Sequence, residues 1–296
     1  AGVIRRTAPG DEMARARQPL AMQLMRWAFH HAGPIAPGLF GGWAYRLWFA
    51  TRHFPEPARE TAWCSNARMD RLAWRDYPLT RYEWGDSAAP AILLVHGWNG
   101  RGPQLGAFAS ALTAAGFRAI AFDAPAHGRT PGSSTNIFEF AGAIQAVAAA
   151  SGTVAGAIAH SFGVPATVHA MQEGLALPGL VAIAAPAHAE FLLKRFARQL
   201  DIPDAVIVQM RARIERRFGM DIFLRLATAE MLSGQVLPGL IIHDRDDRDV
   251  PSRHAEQLHQ AWPGSELLLT RGLGHVRILR NAGVIRAAVA FLRQPT

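Results

Sequence analysis

Three short segments, far apart in the chain, carry a serine, an aspartate and a histidine that could together perform nucleophilic chemistry. Ser161 lies in AHSFG (residues 159–163), where the residues two positions to either side are small. That pattern indicates a backbone bent too sharply for larger neighbours, with the serine hydroxyl held outward at the apex. A serine hydroxyl is a weak nucleophile unless a base takes its proton, and the base in turn needs a carboxylate to orient it.

Two downstream segments could supply that base and that carboxylate. His275 follows the last predicted strand and has Gly272 and Gly274 beside it, so its loop could approach the serine closely. Asp247 follows the apolar segment 239–243, where a carboxylate could be held in a loop at the edge of a sheet. The order along the chain is therefore nucleophile, acid, base.

The elements that must position these residues alternate along the chain. Strands are predicted at Leu79–Trp84, Ala91–His96, Arg118–Phe122, Val154–Ala159, Leu180–Ala184, Gly239–His243 and Glu266–Thr270. Helices are predicted at Gln104–Ala115, Ile137–Ala150, Val164–Glu173 and Asn281–Leu292. Strands that alternate with helices predict an α/β fold, with a mostly parallel central sheet and helices on both of its faces.

Two regions depart from this alternation. Residues 1–75 are rich in Arg, Trp and Phe and predict an N-terminal extension of two or three short amphipathic helices. Residues 187–235 contain two amphipathic helical segments between one predicted strand and the next. An insertion there would lie above the carboxyl edge of the sheet and could form a helical cap or lid. The core is then formed by residues 76–186 and 236–296.

From about residue 80 to its end, the sequence resembles the α/β-hydrolases in five motifs that occur in the expected order. They are HGWNG at 96–100 (HGxxG, the oxyanion loop), DAPAHG at 123–128 (DxPGHG), AHSFG at 159–163 (the nucleophile elbow), HDRDDRDVP at 243–251 (HGxxDxxVP, the acid loop) and GH at 274–275 (the base loop). The resemblance implies the α/β-hydrolase fold, with Ser161 as nucleophile, His275 as base and Asp247 as acid.

The chain departs from these motifs at three positions. Alanine replaces a glycine at Ala159 of the elbow and at Ala126 of the second motif, and Asp244 replaces the glycine of the acid loop. Four neighbouring aspartates therefore compete for the role of the acid: Asp244, Asp246, Asp247 and Asp249. The register of the motif selects Asp247, with Asp249 or Asp246 as the alternatives.

The resemblance also implies an oxyanion hole and a substrate pocket. The backbone amides of Trp98 and Phe162 would hold the developing charge, and the side chains of both would form an apolar entrance. The residues assigned to the substrate pocket are His96, Gly97, Trp98, His160 and Phe162. Among these, the ring of His96 is expected to tie its loop to backbone groups, and His160 is expected to point away from the reacting centre.

These residues predict a serine hydrolase that cleaves carboxylic esters through an acyl-enzyme on Ser161. The alternatives are an acyltransferase or thioesterase that uses the same three residues, and a non-catalytic binding module on a hydrolase scaffold. We expect no metal and no organic cofactor, because His30, His31 and His243 lack carboxylate or cysteine partners at metal-binding spacing.

Composition limits the partners. The net charge is +8, but the arginines are scattered and Lys194 is the only lysine, so nucleic-acid binding is not expected. No apolar run reaches 18 residues, and no secretory pattern is visible, so we expect a cytoplasmic protein that acts on a hydrophobic small-molecule ester. The helices of residues 1–75 would either wall the acyl pocket or lie on an anionic membrane. We favour the pocket, because Pro and Gly break their apolar face.

Overall fold

The computed structural model describes residues 19–235 and 237–294, and it contains one eight-stranded sheet. The parts of the predictions that concern residues 1–18, Val236 and residues 295–296 lie outside the described residues. The strands are β1 (Arg68–Trp74), β2 (Tyr77–Trp84), β3 (Ala91–Val95), β4 (Arg118–Phe122), β5 (Val154–His160), β6 (Leu180–Ile183), β7 (Gly239–Asp244) and β8 (Ser265–Thr270).

The strand order across the sheet is β1-β2-β4-β3-β5-β6-β7-β8. β2 pairs antiparallel with β1 and β4, and every pairing from β4 to β8 is parallel. The central strands are short runs of apolar residues that are buried on both faces, as parallel strands require. The carboxyl ends of β5, β7 and β8 therefore meet at one edge of the sheet.

Helices cover both faces of the sheet, and further helices gather over its carboxyl edge. They are α1 (Leu20–Ala32), α2 (Pro37–Phe49), α3 (Ala58–Cys64), α4 (Ala109–Ala114), α5 (Ile137–Ala149), α6 (Gly163–Gln172), α7 (Ala189–Leu200), α8 (Asp204–Phe218), α9 (Ile222–Arg225), α10 (Thr228–Leu232), α11 (Arg253–Ala261), α12 (Gly274–Arg277) and α13 (Ala282–Leu292). Two buried apolar clusters, one on each face, hold the sheet between the helices. The predicted α/β fold is confirmed.

Three elements differ from the sequence prediction. β1 is absent from that prediction, because an edge strand with mostly half-exposed or exposed side chains has no apolar run to mark it. It pairs with β2 through a two-residue turn in which Arg75 has φ 49°, so the hairpin crosses the boundary predicted at residue 75. The helix predicted at Gln104–Ala115 is a 3-10 helix over Gly102–Phe108 followed by α4, and α11 is a helix that the sequence pattern does not predict.

The first two helices pack against the helices inserted between β6 and β7. α1, α2, α7, α8 and α9 share a third apolar cluster, in which the ring of Phe29 stacks on that of Trp43 with 4.6 Å between ring centroids. Arg26 of α1 donates a hydrogen bond to the carbonyl oxygen of Gln199 in α7 at 3.1 Å. Residues 19–49 therefore extend the layer of helices over the carboxyl edge.

The outer face of α1 carries exposed apolar side chains, which include Leu24 and Trp27. Contact between this face and a membrane stays a prediction of the sequence. Within residues 19–235 and 237–294, none of the helices combines the length with the apolar character that is needed to cross a bilayer.

Candidate active site

Ser161 occupies the sharp turn between β5 and α6. Its φ of 51° lies in the left-handed region, which is unusual for a residue with a side chain and marks local strain. The turn is held because the Ser161 amide donates to the Ile183 carbonyl at 2.8 Å, and the Ser161 carbonyl accepts from the Val164 amide at 3.0 Å. This strand–turn–helix geometry lifts the hydroxyl out of the sheet.

Two glycines explain why the turn requires small neighbours. A Cβ at Gly97 would lie 3.0 Å from the Cβ of Ser161 and 3.2 Å from the His160 carbonyl oxygen. A Cβ at Gly163 would lie 2.5 Å from the His96 carbonyl oxygen. The loop after β3 and the start of α6 can therefore approach the serine only because both positions lack a side chain.

Ser161, His275 and Asp247 form one hydrogen-bonded chain. The Ser161 Oγ lies 3.0 Å from the His275 Nε2, and the His275 Nδ1 lies 2.7 Å from the Asp247 Oδ2. The histidine can therefore accept the hydroxyl proton at one nitrogen while the other nitrogen donates to the carboxylate. Residues from three separate strand ends meet here because the parallel strands bring their carboxyl ends to the same edge.

The four neighbouring aspartates have separate partners. Asp244 is fully buried, and its carboxylate accepts from the amides of Leu273 and Gly274 at 3.1 and 3.0 Å. The Asp246 carboxylate accepts from the amide of Gly272 at 2.9 Å. Asp244 also accepts from the Thr270 Oγ1 at 2.7 Å and from the Asp246 amide at 3.0 Å. Asp249 forms an ion pair with Arg195. Among the described residues, Asp247 is the one aspartate of the four that is hydrogen-bonded to the imidazole.

The surroundings of Asp247 favour its ionised form. Burial raises the pKa of this carboxyl, but hydrogen bonds from His275 and from the amides of Val250 and Asp249 outweigh it, so the pKa lies below its ordinary value. Burial also lowers the pKa of the nearby His243 ring, which favours its neutral form. The His243 Nε2 donates to the Val250 carbonyl at 2.8 Å and supports the acid loop.

The backbone amides of Trp98 and Phe162 have no acceptor among the described residues. Both belong to turns beside the Ser161 hydroxyl, where unpaired N–H groups could stabilise an oxyanion. The next amide in the loop, that of Asn99, instead donates to the His127 Nε2 at 3.0 Å and fixes the backbone. The rings of Trp98 and Phe162 meet edge to face, with 5.0 Å between centroids.

Buried polar groups hold the loops after β3 and β4. Burial lowers the pKa of His96 well below its ordinary value and that of His127 to about 4, so both rings are neutral at pH 7. The His96 Nε2 accepts from the Ala124 amide at 3.0 Å, and its Nδ1 donates to the Gly97 carbonyl at 2.7 Å. The carboxylate of Asp123 accepts from two amides and from a tyrosine hydroxyl.

His160 supports the base loop from beneath. Burial lowers the pKa of His160 to about 3, so its ring is neutral, and its Nε2–H donates to the backbone carbonyl of His275 at 2.9 Å. The cavity beside the serine is lined, as far as the described residues go, by Trp98 and Phe162 but not by His96, Gly97 or His160. The polar atoms of these last three hold loops, and their assignment to the substrate pocket stays a prediction.

A cavity of about 710 Å³ opens onto Ser161 and His275. Its walls are mostly apolar and come from α1, α2, α5, α6, the elbow and the inserted helices. Those apolar wall residues include Met22, Met25, Leu47, Trp48, Phe49, Phe138, Pro165, Leu192, Phe196, Leu200, Ile214, Phe218, Ile222, Phe223 and Leu226. Sequence reasoning did not identify most of them. Of the apolar residues at helical spacing in residues 20–47, Leu47 lines the cavity, whereas Leu20, Leu24 and Trp27 are exposed.

One group of side chains could geometrically hold a cation. Within the part of the chain that the structure describes, ligand atoms of Asp247, Asp249 and His275 lie within 4.8 Å of one another. Each already has a partner: Asp247 and His275 bind each other, and Asp249 binds Arg195. The group therefore fits a proton-transfer chain better than a metal site.

Comparison with known proteins agrees with this fold. The model of the alpha/beta hydrolase family matches residues 92–287. This chain belongs to the alpha/beta hydrolase family. The match starts after β2, so it leaves α1, α2, α3 and the β1–β2 hairpin outside. No curated protein matches the chain.

Several solved structures share the hydrolase fold at low sequence identity. A lipase-like protein, lip1 of Acinetobacter baumannii AYE, is 18% identical with a TM-score of 0.60, over 79% of this chain and 93% of that one. The thioesterase domain of the curacin biosynthetic pathway is 16% identical with a TM-score of 0.56, over 77% and 99%. A bromoperoxidase of Bacillus anthracis is 17% identical with a TM-score of 0.58, over 77% and 100%.

Proposed function

We propose that this hydrolase cleaves carboxylic esters through an acyl-enzyme formed on Ser161. The proposal rests on the hydrogen-bonded chain from the Ser161 hydroxyl through His275 to Asp247, which opens into an apolar cavity. A hydrophobic ester could place its carbonyl at the serine and its apolar part against the walls of the cavity.

In the first half of the reaction, the Ser161 Oγ attacks the ester carbonyl carbon while His275 takes the hydroxyl proton. The oxyanion that forms is held by the amides of Trp98 and Phe162, which have no other acceptor among the described residues. The C–O bond to the alcohol then breaks, and His275 returns the proton to the departing oxygen. The acyl group remains on Ser161.

In the second half, water attacks the acyl-enzyme and His275 takes one of the water protons. Collapse of this second oxyanion breaks the bond to Ser161 and releases the carboxylic acid, and the serine regains its proton from His275. Asp247 keeps the imidazole in the tautomer whose Nε2 faces the serine and stabilises the imidazolium in both steps. Losing one oxyanion donor typically costs about 100- to 1000-fold in rate.

Turnover of p-nitrophenyl esters, with a fluorophosphonate probe as an independent label, tests the proposal. The unmodified protein should turn over the esters and react with the probe. Ser161→Ala should no longer react with the probe, and its turnover rate should fall by at least about 10⁴-fold. Ser233→Ala, which changes an exposed serine of the inserted helices, is the matched control and should keep both. Turnover that survives in Ser161→Ala would refute the nucleophile.

A thioesterase or an acyltransferase with the same three residues is the second candidate. The mostly apolar walls beside the serine favour acyl transfer, since they limit the water available to the acyl-enzyme. The similarity to a thioesterase domain agrees with thioester cleavage. Product analysis of an ester and a thioester of one acyl chain, with and without a competing alcohol, would separate these activities. A chain that never reacts with the probe would instead favour a non-catalytic binding module.

A further inference from the structure

Part of the cavity wall comes from helices that lie outside the family match. α1 contributes Met22 and Met25 to the cavity, and α2 contributes Leu47 and Trp48. The family model begins only at residue 92. The alpha/beta hydrolase core therefore provides the reacting groups, while this chain adds its own apolar wall to the same cavity.

Direct contacts couple this wall to the inserted helices. The ring of Trp48 meets the ring of Phe196 in α7 edge to face, with 5.3 Å between centroids. Phe49 lies 5.8 Å from Phe218 of α8 by the same measure. α1 is joined to α7 through the hydrogen bond from Arg26 to the Gln199 carbonyl. α1 and α2 thus form one enclosure with α7 and α8.

Two charged side chains of the lining, Asp249 and Arg195, pair with each other near the reacting groups. The Asp249 carboxylate has an oxygen within 4.8 Å of ligand atoms of Asp247 and His275. The side chains that α1 and α2 themselves contribute are aliphatic, thioether or aromatic.

We propose that α1 and α2 form the acyl-binding wall, and that Met25 and Leu47 make the enzyme select apolar acyl chains longer than acetyl. This inference rests on the proposed ester hydrolysis. A cavity of about 710 Å³ is in the range that encloses a drug-sized ligand, far more than an acetyl group needs. Each methylene buried against such a wall raises kcat/KM by up to about fourfold.

The test measures kcat/KM for p-nitrophenyl acetate, butyrate, hexanoate and octanoate. The unmodified protein should prefer octanoate to acetate by at least about tenfold. Met25→Trp and Leu47→Trp place a larger side chain in the cavity where the acyl chain would lie. Each should therefore lower the ratio of octanoate to acetate kcat/KM by about tenfold or more. Leu24→Trp alters the exposed neighbour of Met25 on the same helix and should keep the ratio of the unmodified protein.

Smaller side chains at the same positions provide a second test in case the tryptophan variants do not fold. Met25→Ala and Leu47→Ala remove apolar contacts without adding bulk, and each should lower the same ratio by several-fold. A ratio that stays constant in folded variants at both positions, or a flat chain-length series in the unmodified protein, overturns the inference. Absence of Ser161-dependent turnover with every ester, acetate included, would instead refute the proposed function.

Discussion

The loops at the carboxyl edge of the sheet and the helices over them are held by different interactions. Each loop is fixed by directional hydrogen bonds to buried polar groups, such as Asp244 under the base loop and His127 under the oxyanion loop. The helices are held mainly by apolar and aromatic contacts. The difference is physical: reacting atoms must be placed within tenths of an ångström, whereas an apolar wall needs only shape.

The largest effect should follow from Asp247→Asn, which keeps the shape of the loop but removes the charge that orients His275. In a serine protease with the same three groups, this exchange costs about 10⁴-fold in kcat. Asp249→Asn tests the alternative acid: its carboxylate lies within 4.8 Å of a His275 ring nitrogen but binds Arg195, so it should lose far less activity. Steady-state kinetics on one ester compare the two, and a comparable loss in both would mean that the acid is wrongly assigned.

Acid should destabilise the folded protein, because buried histidines of the loop region are neutral in it. The folded-state pKa of His127 is about 4, below its ordinary value of 6.5, so the unfolded chain binds a proton that the folded chain excludes between these values. The contribution of His127 to the free energy of unfolding is fully present above pH 6.5. About 3 kcal/mol of it is lost as the pH falls towards 4. His160, with a pKa of about 3, adds in the same direction.

Thermal unfolding followed by circular dichroism between about pH 7.5 and 4.5 measures this loss, since that range spans most of the shift. His127→Asn should start from a lower melting temperature at the neutral end, because two loop hydrogen bonds are weakened. Its melting temperature should then decline less steeply with acid, since one titrating group is gone. If the melting temperature of His127→Asn falls with pH as steeply as that of the unmodified protein, His127 is excluded as a source of the acid sensitivity.

The next largest effect should come from Asp244→Ala, because it leaves the amides of Leu273 and Gly274 in the base loop without their acceptor. A misplacement of about 1 Å costs on the order of 10²-fold in rate, so kcat should fall about that far while KM changes little. Asp244→Asn keeps one acceptor oxygen and should recover part of the activity. If both variants lost stability but kept kcat, Asp244 would support the fold without positioning His275.

The smallest effect should come from the ion pair that joins the two regions. Arg195 of α7 binds Asp249 of the acid loop, and both side chains are partly exposed. Arg195→Met should therefore lower the free energy of unfolding by no more than about 1 kcal/mol. Arg198→Met, on the exposed side of the same helix, should change it less. A larger loss in urea unfolding for Arg195→Met would mean that the helices and loops are strongly coupled.

Most of the sheet could be predicted from the sequence, and β1 could not. Runs such as Ala91–Val95 are apolar because parallel strands are buried on both faces, so composition alone marks them. β1 lies at an exposed edge and its stability comes from pairing with β2, which includes an ion pair between Asp70 and Arg81. Pairing with a neighbouring strand across a turn produces no hydrophobic pattern within β1, so the strand cannot be predicted from that pattern.

The sequence by itself determined the fold class and the segments that carry Ser161 and His275, because a tight elbow and glycine-flanked loops restrict which residues can occur there. Only the tertiary structure decided which of four aspartates meets the imidazole, and that His160 lies under the base loop. It alone also brought Met25 and Leu47 into one cavity with the serine. These are contacts between residues far apart in the chain, and they depend on how strands and helices pack rather than on any local pattern.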